Sequence, residues 1–252
     1  MTSPVQAPAL APAAPVAGGV DSGAAWFRLG VALLLMTIGN CGMWVVAVVL
    51  PTVQADFGVG RAQASLPYTL MMIGFGLGGV FMGRAADRLG LFRPLLLAAL
   101  CTGTGFVLAS RSTDMLGFAL AHGLFIGLLG SSLTFAPLMA DIALWFTRRR
   151  GIAVAVCASG NYLAGTVWPP LIQHFVETAG WRSAYLGLGL FCGFSMAALA
   201  PLMRRRSPVQ LAVAAPVAGR PDAAQRPFGL SPNAATAALC VAGVACCCLL
   251  YT

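Results

Sequence analysis

Asp141, at the end of the fourth apolar run of this chain, and His122, inside that run, open the chemical question. An ionisable side chain at bilayer depth is costly and is either paired or functional. For Asp141, Arg84, Arg88 or the triplet Arg148–Arg150 could supply the neutralising charge, with a proton-coupling role as the sharper alternative. His122 lies about two turns inside its run at ~3.6 residues per turn. Its side chain titrates near neutral pH, so it could couple protons or pack through hydrogen bonds. Polar and aromatic residues also recur at helical spacing. Thr37, Asn40 and Trp44 share one face of the first run, and Asn161, Gly165 and Trp168 one face of the fifth. Tyr68 and Tyr162 add hydroxyl groups. Such faces could contact a solute or tie helices together, because buried polar groups need partners either way. Catalysis has little support. Ser159 and His174 sit on one run, about 22 Å apart at 1.5 Å per residue, and neither a His-Glu-x-x-His pattern nor a phosphate-cradling loop occurs.

The elements that must position these residues are membrane helices. The chain is 59% apolar and 9% charged, against about 25% charged in soluble domains. Six apolar runs, 31–50, 66–82, 94–110, 115–140, 152–174 and 184–203, approach or exceed the ~20 residues that cross a hydrocarbon core. A seventh run, 234–251, is still in progress at Thr252, so the sequence reads as the first part of a larger protein. Residues 1–27 read as a flexible cytoplasmic leader rich in Ala and Pro, lacking the basic n-region of a signal peptide. Residues 28–203 form the six-helix bundle, 204–233 a proline- and arginine-bearing cytoplasmic linker, and 234–252 the start of a seventh helix.

The net charge of +8 comes from 15 basic residues, all of them arginine. With the N-terminus in the cytoplasm, every arginine except Arg61, Arg111 and Arg182 falls inside, which is the positive-inside asymmetry of an inner or plasma membrane protein. That distribution argues against nucleic acid as a partner. The cysteines lie within apolar runs, where thiols pack as small hydrophobes. No metal-ligand spacing appears, and neither a metal nor a cofactor is expected. Pairs of glycines four apart, Gly74/Gly78, Gly79/Gly83, Gly123/Gly127 and Gly189/Gly193, point to close helix approach. Pro169-Pro170 is expected to break or kink the fifth helix.

Between the second and third runs stands Gly83-Arg84-Ala85-Ala86-Asp87-Arg88-Leu89-Gly90-Leu91-Phe92-Arg93. Its pattern, Gly-x-x-x-Asp-Arg-x-Gly-x-x-Arg, resembles the loop between the second and third helices of major facilitator superfamily transporters. Leu91 and Phe92 stand where the family often has more basic residues. A second signature, Trp145-Phe146-Thr147-Arg148-Arg149-Arg150-Gly151, leads into a small-residue helix. With Gly180-Trp181-Arg182, it resembles the entries to the fifth and sixth helices of monocarboxylate and oxalate/formate-type porters. Ala155, Ala164 and Asn161 depart from that pattern.

The resemblance implies an all-α polytopic fold, one six-helix half of a twelve-helix transporter plus a partial seventh helix. It implies that Gly83, Asp87, Arg88, Gly90 and Arg93 form a conformational gate. A cavity would contain Asn40, Trp44, Tyr68, His122, Asn161, Tyr162 and Trp168, and Asp141, Arg84 and Arg148 would pair or couple. The cargo would be a small organic anion, with a coupling proton or counter-solute, and the partner a C-terminal half or a second copy. The alternative is a non-transporting helix bundle or inactive remnant.

Overall fold

The computed structural model describes residues 20–205 and position 234. The expected linker and seventh helix therefore fall almost wholly outside the described residues, as does the leader up to residue 19. Among the described residues, six helices are long and apolar enough to cross a membrane: α1 (Gly23–Phe57), α2 (Arg61–Leu89), α3 (Phe92–Ser110), α4 (Met115–Ala143), α5 (Arg150–Ala179) and α6 (Trp181–Met203). No strand occurs among them. The chain is an all-α polytopic membrane protein.

α1 begins inside the stretch whose composition suggests a leader, because the Ser22 side chain accepts from Ala25 N–H at 3.4 Å and caps the first turn. The turns between helices use glycine where the backbone demands it. Gly90, between α2 and α3, has φ of 76°, and Gly180, between α5 and α6, has φ of 79°. Side chains rarely adopt that region, and glycine adopts it without strain.

Two helices are interrupted near mid-depth. α1 breaks at Asn40, between the 17-residue segments Gly23–Gly39 and Cys41–Phe57. α4 widens into a π-helical stretch at Ala121–Ser131, passes through a turn at 132–135, and resumes at Ala136–Ala143. Such irregularities recur at functional positions. Pro169 and Pro170 do not break α5, which runs as one helix, Arg150–Ala179. Neighbouring helices commonly compensate the hydrogen bonds that proline removes from a membrane helix.

α2 packs along α4, α3 along α6, and α1 along α5. In lipid there is no hydrophobic force to press helices together, so close packing must do so. Glycine makes that approach possible. A Cβ at Gly74 would strike the Gly123 carbonyl, and one at Gly78 the Leu128 carbonyl, so these two backbones are in contact. Gly103 meets Gly189 and Gly193 the same way, a Cβ at Gly103 lying 3.1 Å from the Gly189 carbonyl oxygen. Gly79 and Gly83, four apart like the others, face open space. Large apolar side chains cover the outside, with Phe194 79% and Leu190 62% exposed, as a lipid-facing surface requires.

These contacts separate glycines that share one spacing. Gly74→Ala and Gly78→Ala should each destabilise the bundle by about 1–3 kcal/mol through overpacking against backbone. Gly79→Ala should leave stability unchanged. Thermal unfolding of the purified protein in one detergent measures all three.

Candidate functional site

The partner of Asp141 is Arg28. Arg28 Nε donates to Asp141 Oδ2 at 2.7 Å and Nη2 to Asp141 Oδ1 at 3.1 Å, a fork that closes on both carboxylate oxygens. Nη2 also donates to the Met203 carbonyl at 3.2 Å, and the guanidinium lies 4.8 Å from the Trp145 ring centroid. Both side chains are buried, with 5% and 9% of their surface exposed. The starts of α1, the end of α4 and the end of α6 are thereby joined. Arg84, Arg88 and the side chain of Arg148, the cations that sequence proximity offers, are exposed and form no ion pair with Asp141. Proximity along the chain misled here because Arg28 stands 113 residues away. One signal was available: Arg28 sits between Phe27 and Leu29, at the very start of an apolar run.

A second unforeseen contact lies beside it. Asp21 N–H donates to the Trp145 carbonyl at 3.0 Å. Asp21 Oδ2 in turn accepts from Thr147 Oγ1 at 2.8 Å, Arg148 N–H at 3.1 Å and Thr147 N–H at 3.3 Å. Its φ of 55° is one that aspartate tolerates better than most residues. The Arg148 backbone N–H, followed by the Thr147 hydroxyl, holds this carboxyl below its ordinary value of 3.8. The aromatic and basic stretch before α5 is thus pinned to the start of α1, with Trp26 edge-on to Phe146 at 5.2 Å.

The loop Gly83–Arg93 meets the buried pair across a cavity of about 230 Å3. Gly83, Asp87 and Gly90 line one side, Arg28 and Asp141 another, and Arg204 and Arg205 also contribute. Asp87 is exposed and makes no hydrogen bond or ion pair among the described residues. Arg88 and Arg93 are exposed and do not line the cavity.

Of the expected solute-contacting residues, some converge and others do not. Trp44 and Trp168 meet where α1 packs on α5, whereas the Asn40 amide turns back to the Met36 carbonyl of its own helix at 2.9 Å. Trp168 Nε1 donates to the Thr37 carbonyl at 2.8 Å, and the Thr37 hydroxyl bridges to the Gly160 carbonyl at 3.2 Å. The Trp44 indole lies on Gly165, where a Cβ would come within 2.7 Å of it. Trp44 Nε1 and Asn161 Oδ1 are both buried without a protein partner, an unused donor on α1 and an unused acceptor on α5. His122 is elsewhere. It is fully buried between α4 and α6, with Nδ1 2.8 Å from the Phe118 carbonyl and Nε2 3.2 Å from the Tyr185 hydroxyl. Phe118 and Tyr185 pack on its ring tilted and edge-on, and Trp181 packs on both of them in turn. Tyr68 and Tyr162 are 44% and 73% exposed on this half. At the opposite end, Arg182 pairs with Asp56 at 2.7 Å and covers the Trp181 ring at 4.4 Å.

The family model described as "Major Facilitator Superfamily" matches residues 32–251. "Monocarboxylate transporter 3" of Rattus norvegicus is 31% identical over 180 residues, which are 70% of this chain and 36% of that protein. "Monocarboxylate transporter 6" of Mus musculus is 28% identical over 167 residues, 65% of this chain and 35% of the relative. "MFS-type transporter 1" of Ophiocordyceps sp. is 29% identical over 140 residues, 55% and 31% of the two chains. The chain spans about a third of the length of the relatives it matches.

Two outcomes follow from the charges. Arg28→Met should destabilise by about 3–5 kcal/mol, since it strands a buried carboxylate, whereas Arg28→Met with Asp141→Leu should recover most of that loss. Chemical or thermal unfolding of the single and double variants decides it. Asp21 adds a pH dependence. Because its native value is depressed, ionised Asp21 stabilises the fold above the ordinary value of 3.8, and that contribution is lost as pH falls through the native value. Asp21→Asn should flatten the acid limb of a stability-against-pH curve while leaving Arg28–Asp141 intact.

Proposed function

The chain belongs to the major facilitator superfamily, and from that premise we propose that it forms the first six-helix half of a secondary active transporter. In this reading a second six-helix half, on the same polypeptide or supplied by a second copy, closes the cavity, and the two halves rock about a midplane site. The cargo is a small organic anion of the monocarboxylate class, and a proton or counter-solute couples its movement. The arginine asymmetry supports a cytoplasmic N-terminus in a plasma or inner membrane. The likeness to monocarboxylate transporters carries the cargo class. The unused Trp44 N–H on α1 and the unused Asn161 oxygen on α5 support a solute-contacting surface on this half.

The anion's counter-charge belongs to the other half. Arg28 is the buried arginine of the described residues, and it is committed to Asp141. The gate is assigned to Gly83, Asp87, Arg88, Gly90 and Arg93, with Asp87 as the free carboxylate at the cavity rim. Asp141 serves this reading as the structural partner of Arg28.

Uptake into proteoliposomes tests each layer separately. The complete gene product should accumulate a labelled short-chain monocarboxylate under an inward proton gradient, and neutral sugars should not compete. Movement of a different solute class overturns the cargo, and movement of no solute overturns transport. The present 252-residue chain reconstituted alone should carry no anion; if it does, the counter-charge lies within it. Asp141→Asn should leave proton stimulation in place.

A further inference from the structure

The interruptions of α1 and α4 meet each other, and oxygen atoms collect where they do. Asn40 stands near the middle of the 35-residue α1, so this junction lies deep in the membrane-spanning region. Met43 N–H donates to the Asn40 carbonyl, not to that of Gly39, and the Gly39 carbonyl is taken up instead by the Ser131 hydroxyl of α4 at 2.8 Å. Thr134, one turn on, presses against Gly39: a Cβ there would lie 2.6 Å from Thr134 Oγ1. Gly39 therefore has to be glycine for the two breaks to touch.

Counting protons at this junction leaves lone pairs over. The Ser131 hydroxyl donates to Gly39, the Thr134 hydroxyl to the Ser131 carbonyl at 2.9 Å, and the Asn40 amide to the Met36 carbonyl at 2.9 Å. Asn40 Oδ1 has no partner although Asn40, Ser131 and Thr134 are all fully buried. A buried acceptor without a donor costs about 1–3 kcal/mol, and native proteins rarely leave one unanswered. Irregular backbone at membrane depth persists where it is buried in protein or lines a site, and broken-helix carbonyls are the groups that coordinate small cations there.

We propose that this junction binds a small monovalent cation, Na+, through Asn40 Oδ1, the Gly39 carbonyl, Ser131 Oγ and Thr134 Oγ1. The set is neutral and all oxygen. No carboxylate belongs to it, which disfavours the divalent cations that carboxylates hold. Binding ties the middle of α1 to the middle of α4, so the ion acts on how these two helices move against each other. The site does not depend on what the protein carries: a chain that moves no solute would still bind the ion.

The measurement is thermal unfolding of the purified full chain in NaCl, KCl and choline chloride at equal ionic strength. A ligand that binds only the folded state raises its stability, and Tm should be higher in NaCl by about 3–6 °C for each tenfold excess of ion over its dissociation constant. Thr134→Val keeps the shape and removes one ligand, so it should abolish the difference between salts, while the lost bond to the Ser131 carbonyl lowers Tm equally in all three. Should that variant fail to fold, Ser131→Ala and Asn40→Ser give the same readout. Equal Tm in all three salts overturns the site, as it would if only water sat there. A sodium shift that survives in the variants overturns the ligand assignment.

Discussion

The fork between Arg28 and Asp141 is the interaction on which one whole end of the bundle depends. Each charge alone would be prohibitively placed, since neither reaches bulk water and lipid offers no compensation. Together, with the Met203 carbonyl and the Trp145 ring completing the cation's surroundings, they become the fixed point for three helix ends. The pair also forms one wall of the cavity that Gly83, Asp87 and Gly90 face.

Away from that end, charge gives way to shape. α2 and α4 approach through Gly74, Gly78, Gly123 and Gly127, and α3 and α6 through Gly103, Gly189 and Gly193. Those contacts leave no room for a side chain, so dispersion between backbones replaces the hydrophobic effect that a soluble core would use. Smooth glycine seams also let helices shift without climbing over interlocked side chains. The aromatic cluster of Phe118, Trp181 and Tyr185 around His122 does the opposite. It interdigitates α4 with α6 and fixes their relative position.

Polar satisfaction then explains where the helices can afford to break. Asn40 interrupts α1 at a level where three neighbours cover the freed carbonyls: Trp168 takes that of Thr37, Ser131 that of Gly39, and the Cys192 thiol approaches that of Ile38 at 3.9 Å. These donors come from α5, α4 and α6. A break supported from three sides is a stable part of the fold, and it concentrates the polar groups of this half around the first helix.

The sequence by itself determined the class of the molecule and its crossings. Apolar runs of spanning length were enough for six helices, because bilayer thickness sets their length and unpaired backbone in lipid is too costly for irregular crossings, and the superfamily came from the resemblance of two loop signatures. It also pointed to Trp44 and Trp168 on their helix faces, since helical period sets which residues share a face. Only the tertiary structure decided which faces meet. It paired Asp141 with Arg28 across 113 residues, packed His122 against aromatic rings, and divided the glycine pairs into seams and open faces. Periodicity fixes a residue's angle on its own helix, but the rotation and neighbours of that helix follow from packing all six at once, and no local pattern carries that information.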